Sequence, residues 1–189
     1  MTEAEALRLL EETGAIQDGH FILSSGLHSG RYFQCAQAFQ HPAHAERLCR
    51  ALARRLDDAK VEVVVGPAVG GIIVAYELAR QLGVRSIFAE RQDGEMTLRR
   101  GFAVAPGERA VIAEDVITTG GSVLEVASLL RSLGAEVVSI AALLDRTGGV
   151  DLGVRLEALA RVTVETYSPD SCPLCARGLA ASKPGSRTV

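Results

Sequence analysis

Tryptophan and asparagine are absent from the chain, and lysine is nearly so. Lys60 and Lys183 are the only lysines among 20 basic residues, so arginine carries almost all the positive charge. Against 23 acidic residues this leaves a formal net charge of −3, which gives no global basic field for nucleic acid. No apolar run reaches the ~18 residues that a membrane span needs. Met1 leads directly into the acidic, helix-forming Thr2-Glu3-Ala4-Glu5, which does not read as a signal peptide, so a cytoplasmic setting is expected. Cysteine is sparse. Cys35, Cys49, Cys172 and Cys175 are too few and too scattered for a secreted disulfide framework. Cys172-Pro173-Leu174-Cys175 has the spacing of a zinc knuckle, but no second pair of ligands follows it. On sequence it reads as a free or occasionally oxidised pair in a tail, or as half of a metal site shared by two chains.

What is present is the balance of one soluble globular domain. The chain has 189 residues, of which 48% are hydrophobic and 23% charged. Thr2 and Glu5 form a capping-box pattern for a helix running to about Thr13, where Gly14 stops it. Residues 15–40 read as irregular, with short extended pieces at 21–23 and 31–33. From Pro42, Ala45, Leu48, Cys49, Leu52, Ala53 and Leu56 recur at three and four and mark an amphipathic helix. Strands and helices then alternate. Val61–Val65, Arg85–Glu90, Arg109–Ala113 and Val137–Leu144 read as strands, and helices run from Gly70 to Leu82 and from Ser122 to Leu133. A fifth strand is expected over 161–167. Asp93-Gly94 signals a hairpin turn within 91–108, read as a projecting hairpin or mobile loop. The tail after Ser168 reads as loose or packed on the surface. This alternation predicts an α/β fold, a mostly parallel central sheet with helices on both faces, in a single domain over 1–189 with its core at 61–145. Ligands in such folds bind beyond the carboxyl ends of the strands.

The densest chemistry lies at one such end. In Val111-Ile112-Ala113-Glu114-Asp115-Val116-Ile117-Thr118-Thr119-Gly120-Gly121-Ser122 a hydrophobic strand ends in adjacent acids, then a loop of small and hydroxyl residues enters a helix. Backbone N–H groups and the positive end of the helix suit a phosphate monoester, and Thr118, Thr119 and Ser122 add hydroxyls. Glu114 and Asp115 would repel phosphate, so they are expected to face sugar hydroxyls or a hydrated cation. A ribose 5-phosphate satisfies both halves. A Walker loop is excluded, since no Gly-Lys-Ser/Thr ends the segment. Gly66-Pro67-Ala68-Val69-Gly70-Gly71 joins another strand to a helix and can wrap a diphosphate with backbone N–H groups, or be plain turn chemistry. Arg91, Arg99 and Arg100 on the hairpin offer forked donors to phosphate, or simply a solvated face. Arg146 can hold a carboxylate on a substrate, or pair with Asp145 at the surface. His20 and His28 flank a Ser-Gly turn where they can line a ligand. His41 and His44 sit at a helix start, and none of the four shows metal spacing with nearby acids.

Residues 111–122 resemble the phosphoribosyl-diphosphate signature of the type I phosphoribosyltransferases. The likeness extends over nearly the whole chain and points to the branch of that family acting on orotate. It is carried by Phe21-Ile22-Leu23-Ser24-Ser25-Gly26 with Ser29 and Tyr32-Phe33, by Gly66-Pro67-Ala68, by Arg91 and by Asp145-Arg146. The stretches Ala89-Glu90-Arg91 through Thr97-Leu98-Arg99-Arg100-Gly101-Phe102 and Cys172-Pro173-Leu174-Cys175 resemble a subgroup of that branch. The resemblance implies the family's fold with a small hood from residues 1–40, and transfer of a phosphoribosyl group from 5-phosphoribosyl 1-diphosphate to orotate in pyrimidine biosynthesis. It implies that Glu114 and Asp115 hold the ribose hydroxyls. Val116, Ile117, Thr118, Thr119, Gly120, Gly121 and Ser122 would line the phosphate loop, and Gly66, Pro67, Ala68 and Gly70 the diphosphate loop. Thr118, Arg146, Tyr32 and Phe33 would contact orotate. Arg91, Arg99 and Arg100 would be catalytic groups on a loop that closes over the neighbouring site of a homodimer. Magnesium would ride on the substrate diphosphate rather than on a protein metal site, and neither nucleic acid nor membrane is an expected partner. The chain departs from the pattern at His20 and Gly70, where the family usually has lysines, and in its mobile loop, where arginines stand for lysines and a histidine. The alternatives left open are a phosphoribosyltransferase for another nucleobase, and a regulator that senses the sugar diphosphate without turning it over.

Overall fold

A computed structural model describes residues 1–23 and 25–184; Ser24 and the last five residues lie outside the described residues. Helix α1 spans Glu3–Glu12, and its N-terminus is closed as its sequence predicts. The Glu5 N–H donates to Thr2 Oγ1 (3.3 Å), and the Thr2 N–H donates to the Glu5 carboxylate (2.7 Å). Strands β1 (Ile16–Ile22) and β2 (His28–Phe33) form an antiparallel hairpin. Two helices follow, α2 (Ala36–Phe39) and α3 (Pro42–Ala53). Then come β3 (Val63–Pro67), α4 (Gly70–Leu82), β4 (Arg85–Gln92), β5 (Glu95–Leu98), β6 (Arg109–Ile117), α5 (Gly121–Ser132) and β7 (Glu136–Asp145). The chain finishes with β8 (Leu156–Arg161), β9 (Thr166–Tyr167) and a short helix α6 (Pro173–Ala176).

The central sheet has the order β5-β4-β3-β6-β7-β8, parallel throughout except for β5, which pairs antiparallel with β4 at one edge. Both faces are covered, which is why the strands read as continuous apolar runs. Along β6 the alternation is plain. Val111 and Ala113 join the core beneath α1, α3 and α4, whereas Ala110 and Ile112 join the core beneath α5. Val64 and Val63 divide in the same way on β3, as do Ala141 and Ile140 on β7. Strands β3 and β6 are therefore fixed side by side at the centre, with their carboxyl ends together. Among the described residues, no helix is long and apolar enough to cross a membrane.

Two regions differ from the sequence reading. The first strand of the hood begins at Ile16 rather than with the short extended piece at 21–23, and the hood is a sheet of order β1-β2-β9. Its pairing slips between Asp18 and Phe21, so the strand lacks the clean alternation by which a strand is recognised. The fifth parallel strand is β8, not residues 161–167. The alternation of Val162 and Val164 arises because both pack partly on the core as the chain crosses from one sheet to the other. Of the two readings of the tail, its described part follows the second, packed on the surface. The Ser182 N–H donates to the His20 carbonyl (2.9 Å) and its carbonyl accepts from the Ile22 N–H (2.8 Å), which lays the tail along the edge of β1. The hairpin at Asp93-Gly94 forms as read, with φ of 53° and 90° at the two turn residues. Residues beyond it fold back on the sheet, where Arg85 pairs with Glu108 (2.7 Å) and donates to the Ala103 carbonyl (2.8 Å).

The close approach of α4 to β6 requires glycine at 71. A Cβ there would stand 2.7 Å from the Ala113 carbonyl oxygen and 2.7 Å from the Pro67 ring, neither of which can yield without moving a central strand. Gly71→Ala is expected to cost about 1–3 kcal/mol, as overpacking in a rigid core does, and to lower the thermal midpoint by several degrees. Thermal unfolding of the variant beside the wild type checks this.

Candidate active site

The β6–α5 connection forms a small cup lined by Glu114 and by Val116 through Val123. Gly120 enters α5 with φ of 81°, the left-handed conformation that glycine adopts without a side-chain penalty. Gly120 has no side chain to cap this helix; the Gly121 N–H donates to Thr119 Oγ1 (3.4 Å), and the positive end of the helix borders the cup. Thr118, Thr119 and Ser122 are on its wall.

Glu114 and Asp115 are the last polar residues of β6 before the cup. Each is largely buried, and among the described residues neither has a cationic partner. Burial and the neighbouring Asp115 charge push the Glu114 carboxyl up to about 8. Burial also raises Asp115, against the pull of the Val116 N–H, which donates to its Oδ1 at 2.7 Å. The β3–α4 loop comes directly against this pair. A Cβ placed on Gly70 would meet Asp115 Oδ1 at 3.1 Å and Glu114 Oε1 at 3.3 Å. Gly70 therefore borders the acids, and the β3–α4 loop meets the end of β6 at that point.

Beyond the cup opens a larger cavity of about 720 Å³. Thr118 and Thr119 line both, so the two spaces are adjacent. Tyr32 and Phe33 from β2 and Arg146 after β7 line the larger one. The Arg146 guanidinium lies over the Phe33 ring at 4.6 Å, and burial lowers its pKa. Its buried Nε has no hydrogen-bond partner among the described residues. Asp145 does not neutralise it. That side chain turns back to accept from the Thr147 N–H (2.8 Å) and to meet Arg161 (3.4 Å), so it braces the turn that presents Arg146. A surface Asp–Arg pair, one of the two sequence readings, is thereby excluded.

The hairpin arginines lie elsewhere. Arg91 pairs with Glu125 on α5 (2.7 Å) and donates to the Gly94 carbonyl (2.7 Å). Arg100 pairs with Glu90 at 3.1 Å, and Arg99 approaches the same carboxylate at 3.7 Å. None of the three lines the cup or the cavity of its own chain. Sequence reasoning missed Arg31, Val164, Thr166, Lys183 and Pro184, all on the cavity wall. Lys183 had one available signal, being one of two lysines in an arginine-rich chain.

Comparison with known proteins agrees with this geometry. Residues 36–152 match the family model described as the phosphoribosyl transferase domain. The orotate phosphoribosyltransferase of Desulforamulus reducens is 56% identical over 190 residues, spanning 100% of both chains. The chain belongs to the orotate phosphoribosyltransferase family. That of Thermotoga petrophila is 54% identical over 180 residues, covering 95% of this chain and 96% of its own. Among solved structures, orotate phosphoribosyltransferase from Aeropyrum pernix superposes with a TM-score of 0.67 at 28% identity, covering 82% of this chain and 93% of that one. The mostly parallel sheet, flanked by helices, is the fold of that family.

The buried acids set a pH dependence. A carboxyl raised in the folded state binds more protons than in the unfolded chain between about 4.5 and about 8, so its burial costs nothing below that window and progressively more as pH rises through it. Glu114→Gln removes the cost. The variant is expected to match wild-type stability near pH 4.5 and to exceed it by roughly 1–4 kcal/mol near pH 8. Denaturant unfolding across that range reads the difference, and a pH-independent difference would contradict it.

Proposed function

We propose that this chain transfers the phosphoribosyl group of 5-phosphoribosyl 1-diphosphate to orotate, giving orotidine 5′-phosphate and diphosphate in pyrimidine biosynthesis. The observation that carries the choice of base is Arg146, a half-buried cation without an anionic partner among the described residues, on a cavity that shares Thr118 and Thr119 with the phosphate cup. A base bearing a carboxylate neutralises it; uracil and the purines would leave the charge unpaired.

In this reading the amides of the β6–α5 loop and the hydroxyls of Thr118, Thr119 and Ser122 hold the 5-phosphate. Glu114 and Asp115 accept from the ribose 2- and 3-hydroxyls. Gly66, Pro67, Ala68 and Gly70 line the diphosphate path. Tyr32 and Phe33 flank the orotate ring, with Thr118 at the junction. These contacts place a ring nitrogen of orotate in line with the anomeric carbon. The bond from that carbon to the diphosphate oxygen breaks as the carbon–nitrogen bond forms, through an oxocarbenium-like state, and the nitrogen's proton leaves to solvent. No protein nucleophile is required. The oxygens of the acid pair can accept from the hydration shell of magnesium carried on the diphosphate, where the ion would supply charge neutralisation for the leaving group.

Arg91, Arg99 and Arg100 act in this proposal on the diphosphate in the neighbouring subunit's site of a homodimer. Their ion pairs with Glu125 and Glu90 are solvent-accessible and, as such pairs are, worth only about 0–1 kcal/mol, so they release readily. Loop closure would then exclude water from the sugar diphosphate.

The deciding assay follows loss of orotate absorbance with the sugar diphosphate and magnesium, beside uracil, adenine and hypoxanthine. Orotate alone is expected to turn over; equal turnover of another base would overturn the choice. Arg146→Ala should raise the KM for orotate by about 10- to 100-fold, the worth of a charged hydrogen bond, with a smaller effect on the sugar diphosphate. Arg99→Ala combined with Arg100→Ala should instead lower kcat by at least about 10-fold while the KM for orotate changes by less than about twofold. Arg91→Ala with full turnover would remove that residue from the mechanism.

A further inference from the structure

Away from this site the hood and the tail bring together four side chains that no step above uses. His20 is on β1, His28 opens β2, and Cys172 and Cys175 flank the first turn of α6. One ligand-capable atom from each of the four lies within 4.8 Å of all the others. His20 Nε2 is 2.8 Å from His28 Nδ1. Cys172 Sγ is 3.6 Å and Cys175 Sγ 3.8 Å from His20 Nε2, and Cys175 Sγ is 3.3 Å from His28 Nδ1. Metal–nitrogen bonds of about 2.0–2.1 Å and metal–sulfur bonds of about 2.3 Å at tetrahedral angles would separate N from S by about 3.6 Å. The nitrogen–sulfur distances scatter about that value.

The protonation of one ring is fixed by its outer partner. His20 Nδ1 is 2.8 Å from the Leu179 carbonyl oxygen, which can only accept, so Nδ1 carries the proton and Nε2 turns a lone pair into the cluster. This is the arrangement by which metal-bound histidines are held. His20, His28 and Cys172 are buried, and Cys175 forms the outer wall. Both thiols are free rather than joined as a disulfide. Cys35 and Cys49 differ in kind: they lie singly in the hydrophobic core. The sequence left Cys172 and Cys175 without partners because the missing pair lies far upstream, on a hairpin whose strands had no clear pattern.

We infer that His20, His28, Cys172 and Cys175 form a closed tetrahedral site for a zinc-class divalent cation that staples the C-terminal tail to the hood. Two nitrogens and two sulfurs suit a borderline-soft ion and not magnesium, which demands oxygen. With four protein ligands no position is left for substrate, so the ion is structural. The three-stranded hood gives such a staple a purpose, since small sheets bury little apolar surface of their own. The tail held in this way runs on through Ser182, paired with β1, to Lys183 and Pro184 on the wall of the large cavity.

The test uses the untagged full-length protein, purified under reducing conditions without chelator. Mass spectrometry of bound metals is expected to find about one zinc per chain that survives dialysis. Metal-free protein given cobalt(II) should develop the visible absorption of a tetrahedral ion together with thiolate-to-metal charge transfer. Neither band should appear in the Cys172→Ser, Cys175→Ser double variant. Trypsin should cut the wild type after Arg177 at least about 10-fold faster once the metal is stripped, because the tail is then released. Reduced protein that takes up no zinc or cobalt, a cobalt spectrum of octahedral form, or tetrahedral absorption that persists in the double variant would each overturn the inference.

Discussion

The arrangement turns on two partly buried carboxylates side by side at the end of β6, with no cation among the described residues to meet them. Such a pair is costly, and burial raises the pKa of both groups instead of letting them ionise freely. A chain selected for stability alone would place an arginine or a serine beside them. Here the facing position is Gly70, which brings only backbone. Each carboxylate accepts from a backbone N–H, and its remaining acceptor capacity is open to groups from outside. The rest of the site follows from keeping that space clear. Gly71 lets α4 settle against β6 without a side chain between them, and Gly120 turns the chain into α5 so that amides, rather than side chains, close the far end of the cup.

The location of the pair follows from the sheet. Because β3 and β6 are neighbours at its centre and run parallel, their following loops emerge at the same end and meet. Each loop contributes polarity of a different kind. The β6 segment offers acceptors and then, one turn later, donors; the β3 segment offers backbone close to both. A sugar carrying hydroxyls at one edge and an anion at the other matches that order of donors and acceptors along the chain. The buried Val63, Val64, Val65 and Val111, Ile112, Ala113 hold the two strands in register, so substrate geometry depends on core packing as much as on the polar groups themselves.

How much of this is legible in the sequence depends on how local each interaction is. The cup could be read from residues 111–122 because its acids, hydroxyls and glycines are contiguous and act largely through their own backbone. The central strands could be read because burial on both faces makes them continuously apolar. The hood could not, since its strands are bulged and half solvated, so their pattern is set by partners rather than by period. The same holds for Arg146. Its neighbour Asp145 is the obvious ion-pair candidate in sequence, and only the fold shows Asp145 turned toward Thr147 and Arg161. The cavity wall from Lys183 and Pro184 was invisible for a third reason: it depends on where the tail is tied, and the residues positioned to tie it stand at opposite ends of the chain.

The cations of the molecule divide in a way that bears on catalysis. Arg146 is half-buried, stacked on Phe33 and without an anionic partner among the described residues, so its charge faces the cavity without an ion pair to break there. Arg91, Arg99 and Arg100 are paired to surface carboxylates on an edge hairpin, where exchange of one acidic partner for another costs little. A fixed cation suits a group that must be recognised before reaction and is present in both substrate and product. Releasable cations suit a group whose charge grows during the reaction and which must then depart. Orotate keeps its carboxylate throughout the transfer, whereas diphosphate gains charge as its bond to the sugar breaks. Under the proposed function, the division of arginines between cavity and hairpin matches the division of charge in the reaction.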